Sequence, residues 1–485
     1  MKQQKWAAVL LSAAMLFSAL PVLHASAETA AEYTASAVLK PSSGYNANVM
    51  RDNNEKTYYT FAPGGTLTIT ASAPIAGISV KFEKTGAAWH AAANGTTLDF
   101  GQNRFQHDFG DVSALGASSV VLTFDAYISV SEIRIFGAGD LPADVQVWQP
   151  SYDKADIAVF PTHNDDEHLF FLGLIPDAIA RGKKVQVIYL VHHNGEPIRL
   201  HETLNALWEV GLRHYPALGR FPDQYSETYQ WAMNNFNSAG VYYDNILSYQ
   251  VEMLRRFKPD VVVGHDVNGE YGHGQHRVSS ATLMKAVGIS GDAAQYPQSA
   301  QTYGVWDVPK TYIHLLTTNP IVMNYDTPLD YFGGRTAYQV SLAGYAKHNS
   351  QQYTWFTGWV KGNSWAPYTK ASQIATYSPL KYGLYRTTVG LDSGINDMFE
   401  HIAVKPLQGD ADSDGEITVA DAQRTLDAAV HISAGNDSGL TDVQFAAADV
   451  SGDGAVTIED AQFILTYYTR NSLSGRSLTW DQVIG

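Results

Sequence analysis

Phe160-Pro161-Thr162-His163-Asn164-Asp165-Asp166-Glu167-His168 follows the apolar run Asp156-Ile157-Ala158-Val159-Phe160. The run is short and continuous, as in a strand buried on both faces. Leu169 to Ile179 then reads as helix. A histidine and three successive acids therefore stand where a strand ends and a helix begins. Open α/β sheets place their ligands at this carboxyl edge. Imidazole and carboxylate together suit zinc or another divalent ion, and a second carboxylate beside the ligands can take the proton of an attacking water. Acids at a helix N-terminus also complement the helix dipole. On this stretch alone, metal chemistry and capping both stay open.

A second strand of the same buried kind, Lys258-Pro259-Asp260-Val261-Val262-Val263-Gly264, shifts the balance. After it come His265, Asp266, Glu270, Tyr271, His273, His276 and Arg277. Two strand ends rich in metal-ligand side chains favour metal chemistry over capping. Lys184 to Val191 reads as a further buried strand, ending in His192-His193-Asn194-Gly195. Glu202 to Val210 is helical, with Leu204, Leu207 and Trp208 on one face, and leads to Asp223. Tyr312 to Leu316 adds a strand. The central region thus reads as α/β with a mostly parallel sheet.

His163-x-Asp165-Asp166-Glu167 followed by Tyr271-Gly272-His273-x-x-His276 resembles the N-acetylglucosaminyl-phosphatidylinositol de-N-acetylase (PIG-L/LmbE-like) family over about residues 150–405. The resemblance implies a Rossmann-like hydrolase that uses zinc to remove acetyl groups from amino sugars. It implies His163, Asp166 and His276 as ligands of one zinc ion and Asp165 as general base. His273 would stabilise the oxyanion or protonate the leaving amine. Arg199, Asp223 and Tyr271 fall where the family contacts substrate. His348-Asn349-Ser350-Gln351-Gln352 resembles a feature near the end of these hydrolases. Two positions depart from the pattern. Asn164 stands where the family usually has Pro. Gln275 stands where it often has Asp, so Asp266 or Glu270 is left to supply His273 with a carboxylate.

The chain has 485 residues, enough for two to four domains. We read four segments: a signal peptide over 1–27, a β-sandwich over 28–140, the hydrolase over 141–405 and a small α-helical module over 406–485. Lys2 and Lys5, the apolar stretch Trp6 to Leu20 and Ala25-Ser26-Ala27 make the signal peptide, so the mature protein is expected to be secreted with no membrane span. Cysteine is absent, which leaves core burial and metals to hold the fold. Thr66–Thr70, Ile78–Phe82, Val120–Phe124 and Ile128–Phe136 read as strands. Met50-Arg51-Asp52-Asn53 with Thr57, and Ser131 to Gly137, loosely resemble discoidin-like domains, which often bind glycans through exposed aromatics. Trp89, Tyr58 and Tyr59 are the candidates, with core burial the plainer reading of each.

The net charge of −16 is concentrated near the end: residues 409–470 hold twelve acids and two basic residues. That locality favours calcium and excludes nucleic acid as a partner. Asp410, Asp412, Asp414, Glu416, Thr418 and Asp421 fit positions 1, 3, 5, 7, 9 and 12 of a calcium loop, with Gly415 at position 6. Asp449, Ser451, Asp453, Ala455, Thr457 and Asp460 repeat the pattern, with Gly454 at position 6, so two calcium ions are expected. A duplicated loop with Asp at position 12 resembles the dockerin module of cellulosomal enzymes. The resemblance implies a cohesin-bearing scaffold as partner and a place in an extracellular, cellulosome-like complex. The leading reading is a secreted zinc deacetylase of N-acetylated glycans. Two alternatives are a non-catalytic carbohydrate-binding subunit, which the presence of Asp165 disfavours, and a metal-dependent amidase with another substrate.

Overall fold

The computed structural model describes residues 29–484 except 45, 403–406, 414 and 474–477. The signal-peptide reading and Asp414 lie outside the described residues. The N-terminal unit holds two antiparallel sheets. One has five strands in the order 38–41, 65–70, 119–124, 89–93 and 96–100; the other has four in the order 59–61, 128–136, 77–82 and 107–111. Alternation turns Leu67, Ile69, Val120 and Leu122 of the first sheet, and Ile78, Val80, Ile133 and Ile135 of the second, into one shared core. Trp89 lies in that core, its indole N–H donating to Asp108 at 2.7 Å, and Tyr59 is buried as well. Of the three aromatics read as glycan contacts, Tyr58 stays exposed.

The central sheet has six strands, ordered 185–187, 157–159, 261–264, 310–314, 381–387 and 320–322. The first four run parallel, while 381–387 is antiparallel to both of its neighbours. The sheet is therefore mixed, where the sequence predicted a mostly parallel one. Residues 315–319 cross over strand 381–387 and place strand 320–322 on its far side. They cross at Gly383, where a Cβ would sit 2.4 Å from the Leu316 carbonyl oxygen and 2.6 Å from that of Thr318. Burial on both faces explains the unbroken apolar runs: Ile157, Ala158, Val159, Val261, Val262 and Val263 are all fully buried.

The single helix predicted over 169–179 is two helices, Asp166–Leu169 and Leu174–Ala180. Gly173 breaks them at φ 92°, and a Cβ there would meet the Tyr325 ring at 2.4 Å. The N-terminal unit docks on helix Ile198–Glu209. His107 Nε2 lies 2.8 Å from His201 Nδ1, Asn205 donates to Glu55 at 3.1 Å, and Lys81 pairs with Glu55 at 2.6 Å. Phe105 also stacks on Tyr215.

In the C-terminal module, helices Val419–Ser433 and Ile458–Tyr468 each follow one acidic loop, and a third helix, Asp442–Ala448, fills the long connection between them. Ala411 of the first loop packs with Val456 of the second, and Val450 of the second with Ile417 of the first, so each loop completes the other's small core.

Candidate active site

Strand Ile157–Val159 ends against strand Val261–Gly264, and both loops leave the same sheet edge. The first brings His163, Asp165 and Asp166; the second brings His265 and Glu270 and runs into helix Gly274–Ile289, which carries His276. Gly274 is needed there, because a Cβ would lie 2.2 Å from the Thr228 carbonyl oxygen. Asp166 is aimed by its own loop: its Oδ2 accepts the backbone N–H of His163 at 2.7 Å and of Thr162 at 3.1 Å. Burial alone would raise this carboxyl, but His276, His163 and His265 outweigh it and hold Asp166 well below the usual carboxylate range.

Three donor atoms converge. His163 Nδ1 lies 3.0 Å from His276 Nε2 and 3.2 Å from Asp166 Oδ2, and His276 Nε2 lies 3.3 Å from Asp166 Oδ2. Tetrahedral zinc with bonds of about 2.05 Å separates its ligands by about 3.3 Å. The outer ring nitrogens are already committed. His276 Nδ1 faces Glu270 Oε2 at 2.8 Å, and His163 Nε2 faces the Gln275 amide oxygen at 3.0 Å. Each acceptor places the imidazole proton on the outer nitrogen, leaving His163 Nδ1 and His276 Nε2 as facing lone pairs. Two lone pairs and a carboxylate oxygen at this spacing repel one another unless a cation lies between them, so the residues present fit a divalent ion.

His265 adds no fourth donor of this kind. Its Nε2 accepts the Thr162 N–H at 3.0 Å, and its Nδ1 faces Glu270 at 2.8 Å. Glu270 is the hub of this layer, since its other oxygen meets His314 Nδ1 at 2.6 Å. Burial opposes its ionisation, but these histidines hold its carboxyl well below the ordinary range.

The two departures from the family pattern acquire partners. Asn164 donates its backbone N–H, which proline lacks, to His193 Nε2 at 3.3 Å, and its side chain donates to Thr203 at 2.6 Å. Gln275 serves His163 through its side chain and His273 through its backbone, whose N–H donates to His273 Nδ1 at 3.2 Å. The expectation that Asp266 or Glu270 supplies His273 with a carboxylate is not met: Glu270 is spent on His265, His276 and His314, and the oxygen that Asp266 engages serves Asn268. Burial, with the nearby His163 and His276, keeps His273 neutral.

Asp165 is buried and holds a backbone φ of 146°, a region that favours glycine. Its N–H donates to Glu167 at 3.0 Å, and Arg199 lies 3.7 Å from its carboxylate. Burial, only partly offset by Arg199, pushes its carboxyl up to about 8. Arg199 donates to the Asn164 carbonyl at 3.0 Å and to Asp223 at 3.3 Å. Asp223 also meets His193 at 3.2 Å and His163 at 3.4 Å. Tyr271, at φ 44°, packs its ring edge-on to His273 and His276. His163, Asp165, Asp166, Arg199, Asp223, Tyr271, His273 and His276 therefore form one cluster.

Sequence reasoning missed two layers behind it. Glu270 was read as a possible partner of His273 and instead serves His265, His276 and His314, and His314 was read only as part of a strand. Glu167, His168 and His348 form a second buried group, with His348 Nε2 3.1 Å from Glu167. The 348–352 segment carried a resemblance but no contact.

In the C-terminal module, the loops share a hydrogen-bond pattern. Asp421 accepts the N–H of Asp412 at 3.1 Å and of Thr418 at 2.8 Å; Asp460 accepts those of Ser451 at 3.0 Å and Thr457 at 2.9 Å. Carboxylate oxygens of Asp410, Asp412 and Asp421 lie within 4.8 Å of one another. Asp449 accepts the N–H groups of Gly452, Asp453 and Gly454, which curls the second loop about its first position.

A sequence model of the GlcNAc-PI de-N-acetylase (PIG-L) family matches residues 157–287. The chain is 36% identical over 133 residues to 1D-myo-inositol 2-acetamido-2-deoxy-alpha-D-glucopyranoside deacetylase 2 of Saccharopolyspora erythraea, covering 25% of this chain and 47% of that protein. It is 27% identical over 120 residues to the 1D-myo-inositol 2-acetamido-2-deoxy-alpha-D-glucopyranoside deacetylase of Streptomyces scabiei, covering 24% and 36%. The chain thus spans less than half the length of these curated relatives. Among solved structures, N,N'-diacetylchitobiose deacetylase from Pyrococcus horikoshii is similar with a TM-score of 0.34 at 15% identity, over 53% of this chain and 90% of that one. The stretch matched by the family model, residues 157–287, holds both halves of the donor cluster.

Proposed function

We propose that the central unit is a zinc-dependent deacetylase that hydrolyses the N-acetyl group of an N-acetylglucosamine-type sugar or glycan. The observation that carries this is the donor triad His163, Asp166 and His276, at 3.0–3.3 Å, beside the buried carboxyl of Asp165. His163, Asp166 and His276 would hold a divalent ion, zinc by the donor chemistry, which when bound would supply Lewis-acid polarisation of the acetyl carbonyl and a more acidic water.

The protein's own groups do the rest. Asp165 takes the water proton on its carboxylate as the nucleophile adds to the acetyl carbon. The same carboxyl, buried beside the reacting atoms, then returns that proton to the leaving amine. His273 has its Nδ1 filled by the Gln275 N–H, so its proton sits on Nε2. As a neutral imidazole without a carboxylate partner, it donates a hydrogen bond to the developing oxyanion and is not the proton source. Arg199, fixed by Asn164 and Asp223, opposes premature protonation of Asp165. Asp223 is partly open to solvent and can accept from a sugar hydroxyl. The products are an amino sugar and acetate.

Under the same reading the chain is secreted, calcium orders the two C-terminal loops, and the module docks on a cohesin-bearing scaffold. The repeated Asp421 and Asp460 geometry supports the calcium part. The deciding experiment measures zinc content and acetate release from N-acetylated glycans on the same samples. Asp165→Asn should keep the metal and lose roughly 10²–10⁴-fold in rate. Loss of zinc with activity would make Asp165 a ligand. Full activity would remove Asp165 as the general base, and a zinc-loaded parent protein that releases no acetate would return the chain to the carbohydrate-binding alternative.

A further inference from the structure

Five aromatic rings form a chain of contacts through His273. Tyr225 stands edge-on to His273 at 5.2 Å, and Tyr271 edge-on to it at 5.4 Å. Trp231 lies 6.5 Å beyond Tyr225, and Trp355 lies 5.6 Å beyond Tyr271. The rings come from three separate segments: the Asp223–Thr228 loop with helix Tyr229–Ser238, the turn Glu270–Gly272, and helix Thr354–Lys361. A core stripe on one helix does not produce such an arrangement.

Burial separates the rings that hold the fold from those that do not. On helix Thr354–Lys361, Phe356 is 9% exposed and faces the core, while Trp355 beside it is 51% exposed. Tyr225 is 56% and Trp231 46% exposed. Large aromatics left half open, contiguous with a reaction centre, mark a binding surface. Tyr271 is held at φ 44°, strain that persists where surrounding structure fixes a side chain for use.

We infer that the site takes an extended N-acetylated oligosaccharide, with sugar rings against Tyr225 and Trp231 on one flank and against Tyr271 and Trp355 on the other. This rests on the sugar-deacetylase reading. A single sugar centred on His273 covers Tyr225 and Tyr271 and leaves both tryptophans in water. A longer chain is needed to cover all five rings. Aromatic faces give flat apolar contact to the C–H faces of pyranose rings while their hydroxyls reach Asp223 and water.

The test uses full-length, zinc-loaded protein and N-acetylglucosamine oligomers of two and six residues. Affinity is read by tryptophan fluorescence and acetate release is read separately. The six-residue oligomer should bind more tightly and react with the higher kcat/KM. Trp231→Ala and Trp355→Ala should each lower the six-to-two ratio by roughly 2- to 10-fold, and Phe at either position should restore part of it. Equal affinity for both lengths, or an unchanged ratio in both alanine variants, would overturn the inference. Length-dependent binding with no acetate release would leave the flanks standing and remove the deacetylase reading beneath them.

Discussion

The backbone N–H of Asp165 donates to the carboxylate of Glu167 at 3.0 Å, and this bond closes the strained turn that presents Asp165. Glu167 is itself anchored by His348 at 3.1 Å. The next turn, at Ser350, donates to Glu202 at 2.8 Å on the helix that carries Arg199. One short segment, 348–350, thus steadies both neighbours of Asp165. Glu167→Gln replaces one accepting oxygen with a donor that must face either the Asp165 N–H or His348. Lost hydrogen bonds to a charged group are worth about 1.5–3 kcal/mol, so kcat should fall roughly 10- to 100-fold. Zinc content should stay near that of the parent protein, since Glu167 is not among the converging donors. A kcat within twofold of the parent would remove this positioning role.

Glu270 orients His276 and fills the space behind His265 and His314. Carboxylates in this position commonly contribute about 10–100-fold to metal affinity. Glu270→Gln should weaken zinc by about that factor, read by competition with a chelator. The same substitution offers an N–H toward one of three histidines that now donate, so a lower thermal midpoint is expected too. Unaltered zinc affinity would show that His276 keeps its orientation without Glu270.

The junction between the N-terminal and central units should be sensitive to acid. Burial, with Lys81 nearby, holds His201 down to about 4 and His107 well below its ordinary value. In the unfolded chain both titrate near about 6.5. Groups whose folded pKa is depressed contribute stability that is fully present above the unfolded value and lost as pH falls toward the folded one. The thermal midpoint should therefore drop between about pH 6.5 and 4. His201→Gln, which cannot gain a proton, should flatten that drop. An equally steep decline in the variant would place the acid sensitivity elsewhere.

Calcium should bind the C-terminal loops with two equivalents per chain by calorimetry. At calcium about 100-fold above its Kd, each site adds about 2.7 kcal/mol to the module's stability. Asp421→Asn and Asp460→Asn should each remove one equivalent, because these buried carboxylates tie positions 3, 9 and 12 of their loops together. Retention of both equivalents in either variant would contradict that assignment.

Elements with local signals were legible from the order of residues. Unbroken apolar runs marked Ile157–Val159 and Val261–Gly264 as buried strands, and the residues after each run carried His163, Asp166 and His276 because strand ends face one sheet edge. The alternating strands of the first unit and the two spaced acidic loops were legible for the same reason, since period and spacing live in neighbouring residues. What needed tertiary structure was every pairing across distant segments. Nothing in the order of residues says that the Gln275 side chain serves His163 rather than His273, or that Glu270 serves His276, because donor and acceptor meet only once the two loops are packed side by side. The mixed sheet was hidden likewise: strand 381–387 lies antiparallel between 310–314 and 320–322 through pairings of distant segments, which no periodicity records. Trp89 points inward because its strand's register, fixed by its neighbours, turns that face to the core.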